Sequence, residues 1–387
     1  MGILPDAMTA APMARAARFR DEFPVFRHAR YLNSCSLGAL SCRSRERVNQ
    51  YLDLWEARGS SAWYDVWWEA LAELRHRYGG VIGAAGRDMA LMPNISTALT
   101  AVAESLDYRV RPRVVVTSLD FPTLPYQWLA KRSEGVEVVV VESPDGIEVP
   151  LELLERAVND RTALVATSHV FFTSGAIQDV RAVAEIAHRR GALCLVDGYQ
   201  AAGQLGVDVR ALDADFYCAG GLKWLLGGSG IAFLYVRPEL QASLAPRATG
   251  WFAHRQQFSF DPHQLELHAD ARRFEAGTPG MASVYAQLGG LDVLDRLGAA
   301  DIRAVTMDLV EDLIEAARAA GMVPQVAPDP SRRSGIVMLP SDEPARDVGR
   351  LAEAGIITDA RPGHVRVSPY FYNERDDTRA LVELLKP

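Results

Sequence analysis

The sequence predicts an α/β protein: a large domain built on a mostly parallel seven-stranded sheet, followed by a smaller α+β domain. Three observations carry this. Short apolar runs rich in β-branched residues recur between helix-length segments. Those runs are apolar throughout rather than alternating, as strands covered on both faces are. A stretch near residues 240–268, richer in Gln, His and aromatics and without periodicity, breaks the pattern before helices resume.

Residues 1–19, rich in Ala and Met, lack a compact apolar core with a cleavage site, so they read as a loose tail and not a secretory signal. Residues 20–60 are expected to join the small domain. From Ser61 to Tyr78, Trp63, Trp67, Leu71 and Leu74 recur near the helical period and predict one helix. Seven strand candidates follow, at 89–92, 113–117, 136–141, 163–169, 192–197, 215–219 and 231–236. Helical segments such as 151–158 and 180–190 separate several of them, which is the spacing of parallel crossovers. The run 231–236 follows its neighbour too closely for a helix to intervene, so it is expected to be antiparallel. The large domain is placed at 61–262. The small one, 263–387, holds helices at 281–297 and 302–320 and strands at 335–339 and 365–367.

With 49% apolar and 23% charged residues, the 387-residue chain has the composition of an ordinary soluble globular protein. Its formal net charge of −8 argues against nucleic acid as a partner. No run approaches the roughly 20 apolar residues of a membrane span. Cys35, Cys42, Cys194 and Cys218 show no metal-type spacing, so no metal is expected, and reduced thiols suit a cytoplasmic protein.

Chemistry concentrates where strands end, the edge at which open α/β sheets bind ligands. One apolar run ends in Asp197, and the next strand leads to Lys223 in a turn bracketed by glycines. Pyridoxal 5'-phosphate needs that combination: a lysine for the Schiff base and an acid that keeps the pyridine nitrogen protonated. Gln200, three residues after Asp197, can face the same ligand. Ser96 and Thr97 open a helix after the first strand, where free N–H groups suit a phosphate as well as a simple cap. Phe121 follows the second strand. His169 ends another, either as a core residue or as a cofactor contact.

In their joint order, several motifs resemble the class V aminotransferase family of fold type I pyridoxal-phosphate enzymes, the branch with cysteine desulfurases, selenocysteine lyases and kynureninases. They are Tyr31-Leu32-Asn33-Ser34, Ser36-Leu37-Gly38, Val196-Asp197-Gly198-Tyr199-Gln200, Lys223-Trp224-Leu225, Gly250-Trp251-Phe252, Arg273-Phe274-Glu275-Ala276-Gly277-Thr278-Pro279 and Arg366-Val367-Ser368-Pro369. The resemblance implies Lys223 as the Schiff-base lysine and proton shuttle, and Asp197 as the acid at the ring nitrogen. It implies Gln200 as donor to the ring hydroxyl, Ser96 and Thr97 as phosphate ligands, and Phe121 as the group stacked on the ring. His169 is carried with them as a cofactor contact. Thr278 would reach the phosphate of a neighbouring subunit, so a homodimer with shared active sites is expected. Arg366, with Asn33, would hold the α-carboxylate of an amino acid substrate, a bidentate task suited to arginine.

The chain also departs from the pattern. The segment 357–364 lacks the cysteine a desulfurase needs as its thiolate nucleophile. Gly220 and Leu222 stand where many members have phosphate-binding side chains, and Leu124 stands where kynureninases have an acid. The resemblance therefore implies an enzyme acting on an amino acid through an external aldimine and Cα deprotonation, as a kynureninase-like or C–S lyase. The alternatives are an aminotransferase or epimerase of a specialised pathway, or a binding protein of the same fold without turnover. Arg361 reads as a solvated loop charge rather than a second substrate contact.

Overall fold

The computed structural model describes residues 11–386. A short strand β1 (Arg30–Tyr31) precedes the strands of the main sheet: β2 (Met89–Met92), β3 (Arg113–Thr117), β4 (Glu137–Val141), β5 (Thr162–Ser168), β6 (Leu193–Asp197), β7 (Phe216–Gly220) and β8 (Ala232–Val236). Their spatial order is β2-β8-β7-β6-β5-β3-β4. Only β8 runs against its neighbours, pairing antiparallel with both β7 and β2. The turn joining β7 to β8 is too short to carry a helix across the sheet, as the sequence spacing predicts.

Why the strands are apolar throughout is visible in their packing. On β3, Val115 enters one core while Val114 and Val116 enter another. On β6, Val196 belongs to the first and Leu195 to the second. Helices Trp68–Val81, Val180–Arg189 and Met281–Leu297 close the first face, contributing among others Leu74, Val183 and Leu288. Helices Ile95–Ser105 and Thr123–Leu129 close the second with Leu99, Val102 and Trp128. Only the edge strand β4 stays half open to solvent.

A third core joins Val310 and Leu313 of helix Ala299–Ala319 to Leu381 of helix Arg375–Leu385 and to β9 (Val337–Pro340). Next along the chain come β10 (Ile356–Ile357), β11 (Asp359–Arg361) and β12 (His364–Val367). β11, β12 and β9 form an antiparallel sheet, and β10 pairs in parallel with β1. Leu32, just after β1, is buried in this core.

Three expectations need adjustment. The helix read as continuous from Ser61 begins as a π turn, Trp63–Trp67, before the α-helix Trp68–Val81. The long helix read from 302 starts at Ala299, directly after Gly298, whose φ of 85° breaks it from the preceding helix. Of the tail, residues 1–10 lie outside the described residues, but Pro12–Ala17 is helical and docked. Ala16 is fully buried, and Arg15 donates to Asp301 at 2.6 and 2.5 Å. A short amphipathic segment with one buried alanine leaves little trace in composition. Among the described residues no helix is long and apolar enough to cross a membrane.

Candidate active site

A cavity of about 280 Å³ opens at the carboxyl ends of the parallel strands. Ser96, Phe121, Thr123, Ser168, Phe172, Asp197, Tyr199, Gln200 and Lys223 are among its walls. They come from the ends of five strands, β2, β3, β5, β6 and β7, or from the segments just after them, so the sheet gathers residues that are far apart in sequence.

Lys223 sits in the turn leaving β7. The segment Ser36-Leu37-Gly38 lies directly on that turn: Gly38 N–H donates to the Leu222 carbonyl at 2.8 Å. A side chain at Gly38 would collide with the Lys223 carbonyl oxygen, 2.1 Å from where its Cβ would stand. The Lys223 Nζ lies 4.6 Å from the centre of the Tyr199 ring and 5.9 Å from that of Phe121. Burial pushes the amine down to about 8, and the charges of Arg366 and Arg361 act in the same direction.

Asp197 closes β6. One of its oxygens accepts from the Tyr199 N–H at 2.9 Å. Burial pushes the carboxyl up to about 6, against that hydrogen bond and the Lys223 charge. Gln200 has a fixed amide. Its Oε1 accepts from Trp224 Nε1 at 2.8 Å, and its Nε2 donates to the Cys35 carbonyl at 3.0 Å, leaving one Nε2 hydrogen over.

At the start of helix Ile95–Ser105 the cap is Asn94, not a hydroxyl. Its side chain accepts both the N–H and the Oγ1–H of Thr97, at 2.9 and 3.0 Å. Ser96 is exposed and lines the cavity; Thr97 does not. His169 is also absent from the walls. Its ring bonds Tyr217 OH at 3.0 Å, and burial pushes it down to about 4, so it is a neutral core residue. Its N–H supports Asp197 from behind, donating to that residue's carbonyl at 2.8 Å.

Arg366 and Asn33 lie beyond the cavity wall, joined to it where Arg366 Nη1 donates to the carbonyl of Phe172 at 3.1 Å. Among the described residues Asn33 Nδ2 donates only to the Thr358 carbonyl, at 3.4 Å. Thr278 is elsewhere: it lines a second concavity of about 390 Å³ with Trp63, Tyr64, Trp68, Trp251 and Phe258.

Sequence reasoning missed two contributors. Tyr199 accounts for Gly220, since a Cβ there would fall 2.1 Å from the Tyr199 ring. The space that a side chain would use at 220 is filled from the neighbouring turn. Asp120 accepts from the N–H groups of Thr117 and Ser168, both at 2.7 Å, and so ties the ends of β3 and β5 beneath Phe121. An acid directly before the exposed aromatic was the available signal.

The donor set fits the cofactor expected from the sequence. A buried carboxylate with a single hydrogen bond, an amine without a polar partner among the described residues and the exposed Ser96 at a helix N-terminus all face one cavity.

The family model described as aminotransferase class-V matches residues 43–381. An uncharacterized aminotransferase of Bacillus subtilis (strain 168), YcbU, is 34% identical over 369 residues, covering 95% of this chain and 96% of that protein. A kynureninase of Shouchella clausii (strain KSM-K16) is 27% identical over 390 residues, covering 96% and 90%. The apo cysteine desulfurase from Thermococcus onnurineus NA1 superposes with a TM-score of 0.86 at 23% identity, covering 95% of this chain and 96% of that one. At that identity the likeness speaks to the fold.

Proposed function

The chain belongs to the aminotransferase class-V family, a fold type I enzyme whose cofactor is pyridoxal 5'-phosphate, and from that premise we propose a lyase that cleaves a C–S or C–C bond at the β-position of a free amino acid. The cofactor-dependent part of this reading is supported by one observation: Lys223 and Asp197 share a cavity without an ion pair between them. Each is thereby left for a ligand. The choice of a lyase leans on the kynureninase relative.

Bound there, the cofactor supplies a sink for the electron pair left when a proton leaves the substrate's α-carbon. Asp197, through its free oxygen, would keep the ring nitrogen protonated. Ser96 and the N–H groups at the head of helix Ile95–Ser105 would hold the phosphate. Phe121 would cover one face of the ring, and the spare Nε2 hydrogen of Gln200 would meet the ring hydroxyl. Lys223, with its amine near neutrality, can accept a proton at Nζ and return it as a general base and acid. Arg366 and Asn33 would take the substrate carboxylate. Thr278 would act in the site of a partner copy, in a cytoplasmic homodimer.

A lyase is favoured over a desulfurase because residues 357–364 contain no cysteine and Cys35 is buried. Aminotransferase is the second reading, supported by the 34% identical relative that bears that name. The experiment is an absorption spectrum with added cofactor, wild type beside Lys223→Ala, followed by amino acid turnover with and without a keto acid. A visible band lost in the variant and product formed without keto acid are expected. Turnover that requires the keto acid would replace the lyase by the aminotransferase.

A further inference from the structure

Arg366 is not free to grip a substrate. It stands directly opposite Asp359 on the hairpin of β11 and β12 and is only 2% exposed. Its Nη2 donates to Asp359 Oδ2 at 2.6 Å and to Ser36 Oγ at 2.7 Å. The Ser36 hydroxyl in turn donates to Asp359 Oδ2 at 2.7 Å, and Arg361 Nη1 donates to Asp359 Oδ1 at 2.7 Å. The Nε of Arg366 is buried without a hydrogen-bond partner among the described residues.

A guanidinium holds a carboxylate bidentately either end-on, through Nη1 and Nη2, or side-on, through Nε and Nη2. Both modes need a hydrogen of Nη2, and both of its hydrogens are committed. A third donor, Nη1, is partly engaged by the Phe172 carbonyl. The cluster Arg361, Arg366 and Asp359 nonetheless carries one net positive charge, enough for one added carboxylate.

We propose that Asp359 is a specificity-determining residue that occupies Arg366 in place of the substrate carboxylate and has to be displaced before substrate is held. This rests on the reading of Arg366 as the carboxylate site. When displaced, Asp359 keeps Arg361 as its counter-charge, which lowers the cost of release. Its carboxyl stays ionised: partial burial pushes it up, but the Ser36 hydrogen bond and the two guanidiniums hold it below the usual carboxylate range. The carboxylate of a small amino acid therefore gains little, because it exchanges one ion pair for another. Substrates are selected for side chains that add contacts in the cavity beside Phe121 and Phe172.

The test measures dissociation constants for L-alanine and for ethylamine, its counterpart without the carboxylate. They are read from the absorption shift of the cofactor-loaded protein in wild type, Asp359→Asn, Ser36→Ala and Arg366→Lys. Asp359→Asn is expected to bind alanine about tenfold tighter, the scale of one charge-assisted hydrogen bond, with ethylamine unchanged. Ser36→Ala should tighten alanine to a lesser degree, and thermal unfolding establishes that each variant is folded. Unchanged or weaker alanine binding in both Asp359→Asn and Ser36→Ala, with binding lost in Arg366→Lys, overturns this inference alone. Alanine binding untouched by Arg366→Lys overturns the carboxylate site and the inference together.

Discussion

Asp197 carries a penalty that only a ligand relieves. Its carboxyl is pushed up to about 6 by burial, while the unfolded chain titrates near about 4. The folded state therefore binds the proton more tightly, so the penalty is full above pH 6 and vanishes below about 4. Asp197→Asn is expected to stabilise the cofactor-free protein at pH 7 by on the order of 2 kcal/mol, a gain that shrinks as the pH falls toward 4. Urea unfolding at several pH values checks this, and destabilisation at pH 7 would show that the carboxylate is already satisfied. The same variant should retain cofactor poorly, the usual exchange of function for stability. Gly220 makes the opposite argument, for packing. Restoring a side chain there with Gly220→Ser drives its Cβ into the Tyr199 ring and is expected to cost about 1–3 kcal/mol in thermal unfolding. No loss would mean that Tyr199 can leave its place.

At the scale of elements, the head of helix Ile95–Ser105 depends on Asn94. Asn94→Ala removes the acceptor of Thr97 N–H and Oγ1–H together and is expected to cost about 1 kcal/mol in the cofactor-free protein. If this turn holds the phosphate, cofactor affinity measured by equilibrium dialysis falls as well; unaltered affinity would place the phosphate elsewhere. The strands were legible in the sequence because both faces are covered: Val115 and its neighbours face different cores, so no polar residue interrupts the run. Lys223 and Asp197 were legible because they follow consecutive strands of a parallel sheet, whose edge gathers them. Contacts set by register were not. Asp359 and Arg366 are seven residues apart, and their opposition emerges only once the turn at Pro362-Gly363 is fixed. His169 looked available until Tyr217, on β7, took its ring. The π turn at Trp63–Trp67 was hidden because residues four apart share a face in either kind of helix.

At the scale of the molecule, the concavity holding Thr278 gathers exposed aromatic side chains. Tyr64 and Phe260 on its rim are 78% and 73% exposed, beside Trp63, Trp251 and Phe258. Clustered exposed aromatics of this kind mark association surfaces. The proposed homodimer gives them a partner and gives Thr278 a site to serve, since it is absent from the cavity of its own chain. This arrangement has a signature that a self-contained site lacks. Mix Lys223→Ala with Thr278→Ala, allow subunits to exchange, and isolate the mixed dimer. If Thr278 acts across the interface, one site collects both substitutions, while the other has Lys223 from one chain and Thr278 from its partner. That second site is wild type, so the mixed dimer regains cofactor binding and turnover at half of its sites. If each chain completes its own site, every site keeps one defect and mixing restores nothing. Light scattering settles the prior question, because a monomer at micromolar concentration would leave the aromatic surface without the partner on which the complementation depends.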